Sequence, residues 1–230
     1  MSTNVKLVPL KLSDYITLLR ESFRGKGTGR TLSNLQISEY YLSGTVLDLG
    51  SKSNRMSYNR FLRYDPAMKL IHTDMETDEN SEVIKLDLEQ PFNLADQSFD
   101  VVLCFNTLEH IYNHRNVMTE VWRILRPGGR LYLSVPFLTR YHKDPHDYWR
   151  YTYETLEFLA HEAGFQQAEV TALVVGPFTT AFSLWYGWLP GWLRPLFLAP
   201  HLALDVIMRL LRPKFISDYA ESYFLVATKS

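Results

Sequence analysis

The sequence predicts an α/β protein built on a mainly parallel sheet with helices on both faces. Three observations carry this expectation. Short apolar runs recur from residue 44 onward and alternate with segments of helical periodicity. The runs are continuous rather than strictly alternating, which suits strands buried on both faces. Polar residues (Asp48, Asp74, Asp87 and Asn106) fall at or just past the C-terminal ends of four runs. In open parallel sheets, ligands sit beyond those ends.

Residues 1–43 form a polar, helical lead-in. Tyr15, Leu18, Leu19 and Phe23 recur at helical spacing over residues 14–24. Residues 24–30 are basic and glycine-rich and read as a flexible loop; residues 37–42 read as a second helix. The run at 45–50 is a buried strand ending in a turn. A helix is expected over 53–64, before Pro66, and strands over 69–73, 82–86 and 99–105, the last dense in strand formers. Residues 113–125 are amphipathic, with Val117, Val121, Trp122 and Leu125 on one face. Arg126-Pro127-Gly128-Gly129 stops that helix, and a strand follows over 130–135. Thr152 is placed as an N-cap, with Glu154 in the first turn of a helix running to Gly164. Strands over 165–173 and 222–228 complete the pattern.

The chain has 230 residues, 46% of them hydrophobic, enough for the core of one elaborated domain. Its 24 basic and 25 acidic residues leave a net charge of -1. That balance supplies no drive toward nucleic acid, and no nucleic-acid partner is expected. The single cysteine, Cys104, excludes an intramolecular disulfide and a multi-cysteine zinc site. It reads as a small buried apolar residue, and a reducing, cytoplasmic setting is expected. Residues 1–11 lack the basic and apolar regions of a secretion signal.

Charge is unevenly spread, and residues 170–193 carry none. Gly176-Pro177 and Pro190-Gly191 interrupt this stretch, so one membrane-spanning helix is not expected. Trp185, Trp188 and Trp192 suit an interface with one wet and one dry side. Arg194, Arg209, Arg212 and Lys214 flank them.

Leu47-Asp48-Leu49-Gly50 opens a strand–turn–helix unit. A glycine there lets the backbone approach a ligand and turn sharply, and a following helix start offers free N–H groups. Asp74 is placed to accept from ribose hydroxyls and Asp87 from an adenine amine. Asp48 is placed to face an ammonium group, directly or through water.

Together, residues 46–50, Asp74, Asp87, Phe99-Asp100-Val101-Val102, Leu108-Glu109-His110 and Leu125-Arg126-Pro127-Gly128-Gly129-Arg130 resemble the class I S-adenosylmethionine-dependent methyltransferases. The resemblance covers residues 44–165 and the final strand. It implies a Rossmann-like, doubly wound, seven-stranded sheet whose last strand is antiparallel. It also implies S-adenosylmethionine as cofactor, surrounded by Asp48, Gly50, Ser51, Asp74, Met75, Asp87, Leu88 and Asn106. Pro145-His146-Asp147-Tyr148-Trp149-Arg150-Tyr151-Thr152 looks like a block found in a type 11-like bacterial subgroup associated with surface-polysaccharide or glycan modification; that link is analogy. The chain departs from the family where glycines usually stand two and four residues after the first. Lys52 and Asn54 occupy those positions. Either the loop is relaxed and still binds, or it is degenerate and the protein is a non-catalytic binding or scaffold protein. Residues 74–87 leave little room for the usual helix, so the adenine end is open or covered by the N-terminal region.

On the acceptor side, residues 141–148 follow the fifth strand. His146 beside Asp147 forms a candidate acid/base pair for an oxygen or nitrogen nucleophile. His110, Tyr148 and Arg150 are candidates for shaping the acceptor site; the competing reading is a packed lid. No recognisable ligand spacing joins His142, His146 and Asp144, so no metal is expected. The domain is placed at 44–230, with an apolar helical cap at about 176–218 beside the substrate. The cap holds an apolar or lipid-linked acceptor, makes a peripheral membrane contact or a homodimer through 176–214, or packs as a plain lid; the acceptor is expected to be a glycan, lipid-linked or other small molecule. The expected activity is methyl transfer to an unidentified acceptor, in the cytoplasm, with membrane association left open.

Overall fold

The computed structural model describes residues 5–51, 56–76 and 83–230. The lead-in holds β1 (Lys6–Leu7), α1 (Leu12–Phe23) and α2 (Thr28–Ile37). Next come β2 (Tyr41–Leu42), β3 (Thr45–Leu49), β4 (Arg63–Tyr64), β5 (Lys69–Asp74) and β6 (Ile84–Lys85). The second half contains β7 (Phe99–Phe105), α3 (His114–Ile124), β8 (Leu125–Pro136), α4 (Tyr153–Ala163) and β9 (Gln167–Leu173). The insert forms α5 (Pro177–Trp185) and α6 (Arg194–Leu211), and β10 (Ser222–Thr228) closes the sheet.

The main sheet has the strand order β1-β9-β10-β8-β7-β3-β5-β6. β10 runs antiparallel to both β8 and β9, and the other pairings are parallel. The expected seven strands are present, and β1 adds an eighth at the outer edge. The order reverses between β3 and β7, so the crevice beyond their C-terminal ends is the switch point where ligands bind in such sheets.

Each face of the sheet buries its own apolar cluster. On one side, Leu47, Leu49 and Val102 pack with Val117, Val121 and Ile124 of α3 and Leu156 and Leu159 of α4. On the other, Val46, Leu103 and Phe224 pack with Leu18 of α1, Leu32 and Ile37 of α2, Phe182 of α5, and Leu198 and Leu202 of α6. The lead-in and the insert therefore share one core. Asp205 fixes the insert from within, accepting the backbone N–H groups of Phe178 and Thr179 at 3.0 and 2.7 Å. Those donors lie in the first turn of α5 and have no intrahelical partner.

Several local expectations change. The helix expected over 37–42 is instead α2, which begins inside the basic loop. Its buried face carries Thr28, Thr31, Ser33, Asn34 and Gln36, so hydrophobic periodicity does not mark it. The helix expected over 53–64 is, where described, a 3-10 turn (Ser57–Arg60) followed by β4. Lys52 and Asn54 lie outside the described residues. The Arg126–Gly129 stretch does end α3, yet β8 already begins at Leu125, which pairs with Phe99 before the register shifts and Arg130 pairs with Val101. Thr152 caps α4 as expected, accepting from the Thr155 N–H at 3.2 Å, and Gly164 ends it.

Candidate active site

β3 carries Asp48 to the switch point. Its side chain is wholly buried. Tyr58 Oη donates to Asp48 Oδ2 at 2.6 Å, and His72 Nδ1 lies 3.4 Å from the same oxygen. Oδ1 has no partner among the described residues. Burial pushes the Asp48 carboxyl upward, against the hydrogen bonds from His72 and Tyr58. The turn behind it is tied down locally. Gly50 donates its N–H to Thr73 Oγ1 at 3.3 Å, and that hydroxyl donates to the Asp48 carbonyl at 3.2 Å. Gly50 has φ 68° and Asn106, at the end of β7, has φ 51°. Asparagine accepts left-handed geometry better than most residues.

Two cavities open at this edge. The smaller, about 210 Å³, is lined by Asn34, Gly50, Tyr58, Asn106, His110 and His142, among others. The larger, about 310 Å³, is lined by the 25–30 loop, Arg140, Ser183 of α5, Tyr186 and Glu221. Arg30, Asn106 and His142 belong to both walls, so the cavities adjoin.

Of the residues expected to hold the cofactor, Gly50 and Asn106 line the smaller cavity, and Asp48 stands behind its Tyr58 wall. Ser51 is buried, its hydroxyl 3.2 Å from the Asp48 carbonyl and 2.7 Å from His72 Nδ1. Asp74 ends β5 with one oxygen accepting the Glu76 N–H at 3.0 Å. Asp87 is exposed and accepts the Glu89 N–H at 2.9 Å. Met75 is exposed, whereas Leu88 packs into the core.

On the acceptor side, His110 lines the smaller cavity. His146 lines neither; it is exposed and its ring stacks on Tyr148 at 5.2 Å. Asp147 is paired with Arg150, whose Nη2 lies 2.7 Å from Oδ2. Burial works to raise that carboxyl, but the Arg150 hydrogen bonds prevail and hold it down at about 2. Asp147 is therefore engaged away from His146.

Sequence reasoning missed Arg30 and Glu221, whereas Glu109 beside His110 is readable either as a site residue or as capping and packing after the fourth strand. Glu221 is buried in the wall of the larger cavity and accepts from Thr28 Oγ1 at 2.6 Å. Its other oxygen has no partner among the described residues. Burial pushes its carboxyl up to about 7. Glu109 is buried with neither oxygen partnered among the described residues, and burial pushes it up to about 8. No motif marks a lone acid just before a strand, as Glu221 is. The Leu108-Glu109-His110 resemblance pointed near Glu109.

The sequence relationships agree with this architecture. The methyltransferase domain family matches residues 25–133. Over 127 residues the chain is 27% identical to a ubiquinone biosynthesis O-methyltransferase of Dechloromonas aromatica, covering 48% of this chain and 55% of that protein. It is 31% identical over 94 residues to the O-methyltransferase rstn1 of Aspergillus nomiae, covering 36% of this chain and 41% of that protein. The chain thus spans about half the length, or less, of these curated relatives. A SAM dependent methyltransferase from Archaeoglobus fulgidus superposes with a TM-score of 0.58 at 18% identity, over 94% of this chain and all of that one. The [4+2]-cyclase SpnF does so with a TM-score of 0.56 at 14% identity, over 98% of this chain and 99% of that one. Identities this low speak for the fold alone, and a cyclase among them shows that this fold does not dictate one reaction. Residues 25–133 match the methyltransferase domain, and the sheet order with its antiparallel final strand is that of the α/β Rossmann-like methyltransferase fold.

Proposed function

We propose that the protein transfers a methyl group to an oxygen of a small acceptor held in the larger cavity. The adjoining pair of cavities at the switch point carries this reading. S-adenosylmethionine, when bound, supplies a methyl group activated on sulfur. The residues fit that donor. An orphaned buried oxygen of Asp48 stands behind the smaller cavity, and Gly50 keeps its wall free of a Cβ that would strike Thr107. In this reading Asp48, Gly50 and Asn106 hold the methionine end. Asp74, Met75 and Asp87 hold the adenosine end along the β5–β6 edge. Glu221 takes the proton of the acceptor hydroxyl, being buried, half-satisfied and raised toward neutrality. The role expected of His146 passes to Glu221 because His146 lines neither cavity. The curated O-methyltransferases it matches support an oxygen acceptor.

Calorimetric titration tests the donor half. One equivalent of S-adenosylmethionine is expected to bind. The absence of heat at millimolar donor would overturn the enzyme reading and leave a scaffold on this fold. Asp74→Ala is expected to weaken donor binding by about 1–3 kcal/mol if two ribose bonds are lost. Unchanged affinity in the folded variant moves the ribose contact elsewhere.

The acceptor reaches the site from a lipid surface in this proposal. Trp188 is 89% and Leu210 79% exposed, and Trp192 and Leu211 are exposed as well, at the two ends of α6. Between residues 176 and 217 the only acid is Asp205, which is wholly buried, while Arg212 and Lys214 are exposed. An apolar face with basic flanks suits an anionic interface. No helix of the described residues is long and apolar enough to cross a membrane, so the contact is peripheral. Flotation with anionic vesicles is expected to carry the protein, and Leu210→Glu/Leu211→Glu to abolish it. Equal recovery of both proteins in the dense fraction would count against this contact.

A further inference from the structure

The geometry points to a divalent transition-metal site formed by Glu109, His110 and His142 where the two cavities meet. Their ligand atoms lie within 4.8 Å of one another. Glu109 Oε1 is 3.7 Å from His110 Nε2 and 3.8 Å from His142 Nε2. These separations are too long for hydrogen bonds. They are wider by only a few tenths of an ångström than two ligands of one tetrahedral ion, about 3.3 Å apart at bond lengths near 2 Å.

The hydrogen-bond partners fix what faces the gap. His110 Nδ1 meets the backbone carbonyl of His146. A carbonyl only accepts, so Nδ1 carries the hydrogen, which leaves Nε2, facing Glu109, as the nitrogen free to ligate. His142 Nδ1 likewise meets only acceptors, the Arg140 carbonyl at 3.4 Å and Asp147 Oδ2 at 3.7 Å. Its Nε2 therefore also faces Glu109 as a lone pair. Glu109 itself is wholly buried, and neither of its oxygens finds a donor among the described residues. With Glu109 ionised, as a metal ligand must be, three acceptors converge with no donor among them. A bound cation satisfies all three at once.

The surroundings are built to hold such a cation. The His146 carbonyl holds the His110 ring from behind, and Asp147, fixed by Arg150, accepts the His142 backbone N–H at 2.7 Å. Metal-bound histidines rely on outer partners of this kind. The rings stand edge to face, centroids 5.2 Å apart at 87°. The backbone N–H groups of Tyr148 and Trp149 both donate to the Glu109 carbonyl, at 2.9 and 3.3 Å, tying the His142 loop to the β7 end. Two imidazoles and one carboxylate are the donor set of a zinc-type site with an open position. Because His142 borders both cavities, that position is available to an acceptor oxygen; this role, unlike the site itself, rests on the methyl-transfer reading.

The test uses the full chain without an affinity tag, stripped with chelator and titrated with Zn²⁺ alone. One equivalent is expected to bind, and Co²⁺ in its place to give a visible ligand-field band. Glu109→Gln and His142→Ala are each expected to weaken Zn²⁺ about 100-fold and to abolish the band. His142 lies on a partly exposed loop, so its variant keeps the test valid if the buried Glu109→Gln fails to fold. The inference is overturned if the wild type takes up no Zn²⁺, or if it and the folded variants bind Zn²⁺ equally. S-adenosylmethionine titrated into the same samples separates the two proposals. Donor binding without Zn²⁺ uptake overturns only the metal site, and Zn²⁺ uptake without donor binding overturns only the methyl-transfer reading.

Discussion

Gly50→Ala is expected to destabilise the fold by about 2–4 kcal/mol, combining a left-handed backbone penalty with side-chain overlap. For a chain of this size that is a fall of about 4–16 °C in thermal midpoint. The added Cβ would stand 2.7 Å from Thr107 Cγ2 and 2.9 Å from Oγ1. Thr107 has little freedom to yield, because its hydroxyl lies 3.2 and 3.3 Å from the Leu49 and Phe105 carbonyls. Gly128 is the control. Its φ is 80°, and a Cβ added there would meet nothing within 4 Å, so Gly128→Ala should cost only the backbone share, about 1–2 kcal/mol. In the double variant Gly50→Ala/Thr107→Ala the overlap is relieved, and the combined loss should be smaller than the sum. Equal losses at Gly50 and Gly128, with strict additivity at Thr107, would contradict the packing described at this turn.

Glu221→Gln is expected to stabilise the protein progressively as pH rises from about 5 to 8. Burial lifts the Glu221 carboxyl from 4.5 to about 7, against the hydrogen bond from Thr28, with Asp205 adding repulsion. The folded protein therefore holds a proton that the unfolded chain has released. Its contribution is fully present below about pH 4.5 and is lost as pH rises through about 7. Glutamine has no such titration. The variant should match the wild type near pH 4.5 and exceed it by up to about 3 kcal/mol at pH 8. Denaturant unfolding at several pH values measures this difference, and parallel profiles would refute it. The same variant should lower methyl transfer about 100-fold while leaving donor affinity unchanged, if Glu221 is the base.

The parallel strands were legible because burial on both faces leaves continuous apolar runs, as in Val101 to Phe105. The start of α4 was legible because Thr152 caps it by local chemistry. α2 was not, because its buried face is polar and its stabilising contacts reach Glu221 and Ser57, distant in sequence. The strand-end positions of Gly50 and Asn106 were readable, and both residues line the smaller cavity. The acceptor side was not. Asp147 adjoins His146 in sequence, yet tertiary structure commits it to Arg150 and to the His142 N–H. Glu109 and His142 come together from different elements, which no spacing rule relates.

A crystal structure with S-adenosylhomocysteine tests the central claim most directly. The homocysteine end should lie in the smaller cavity against Gly50 and Asn106, with the nucleoside along Asp74 and Asp87. The sulfur should then face the Arg30–Asn106–His142 boundary, leaving the larger cavity open beside Glu221. A nucleoside seated in the larger cavity, or a sulfur directed away from it, would contradict the account.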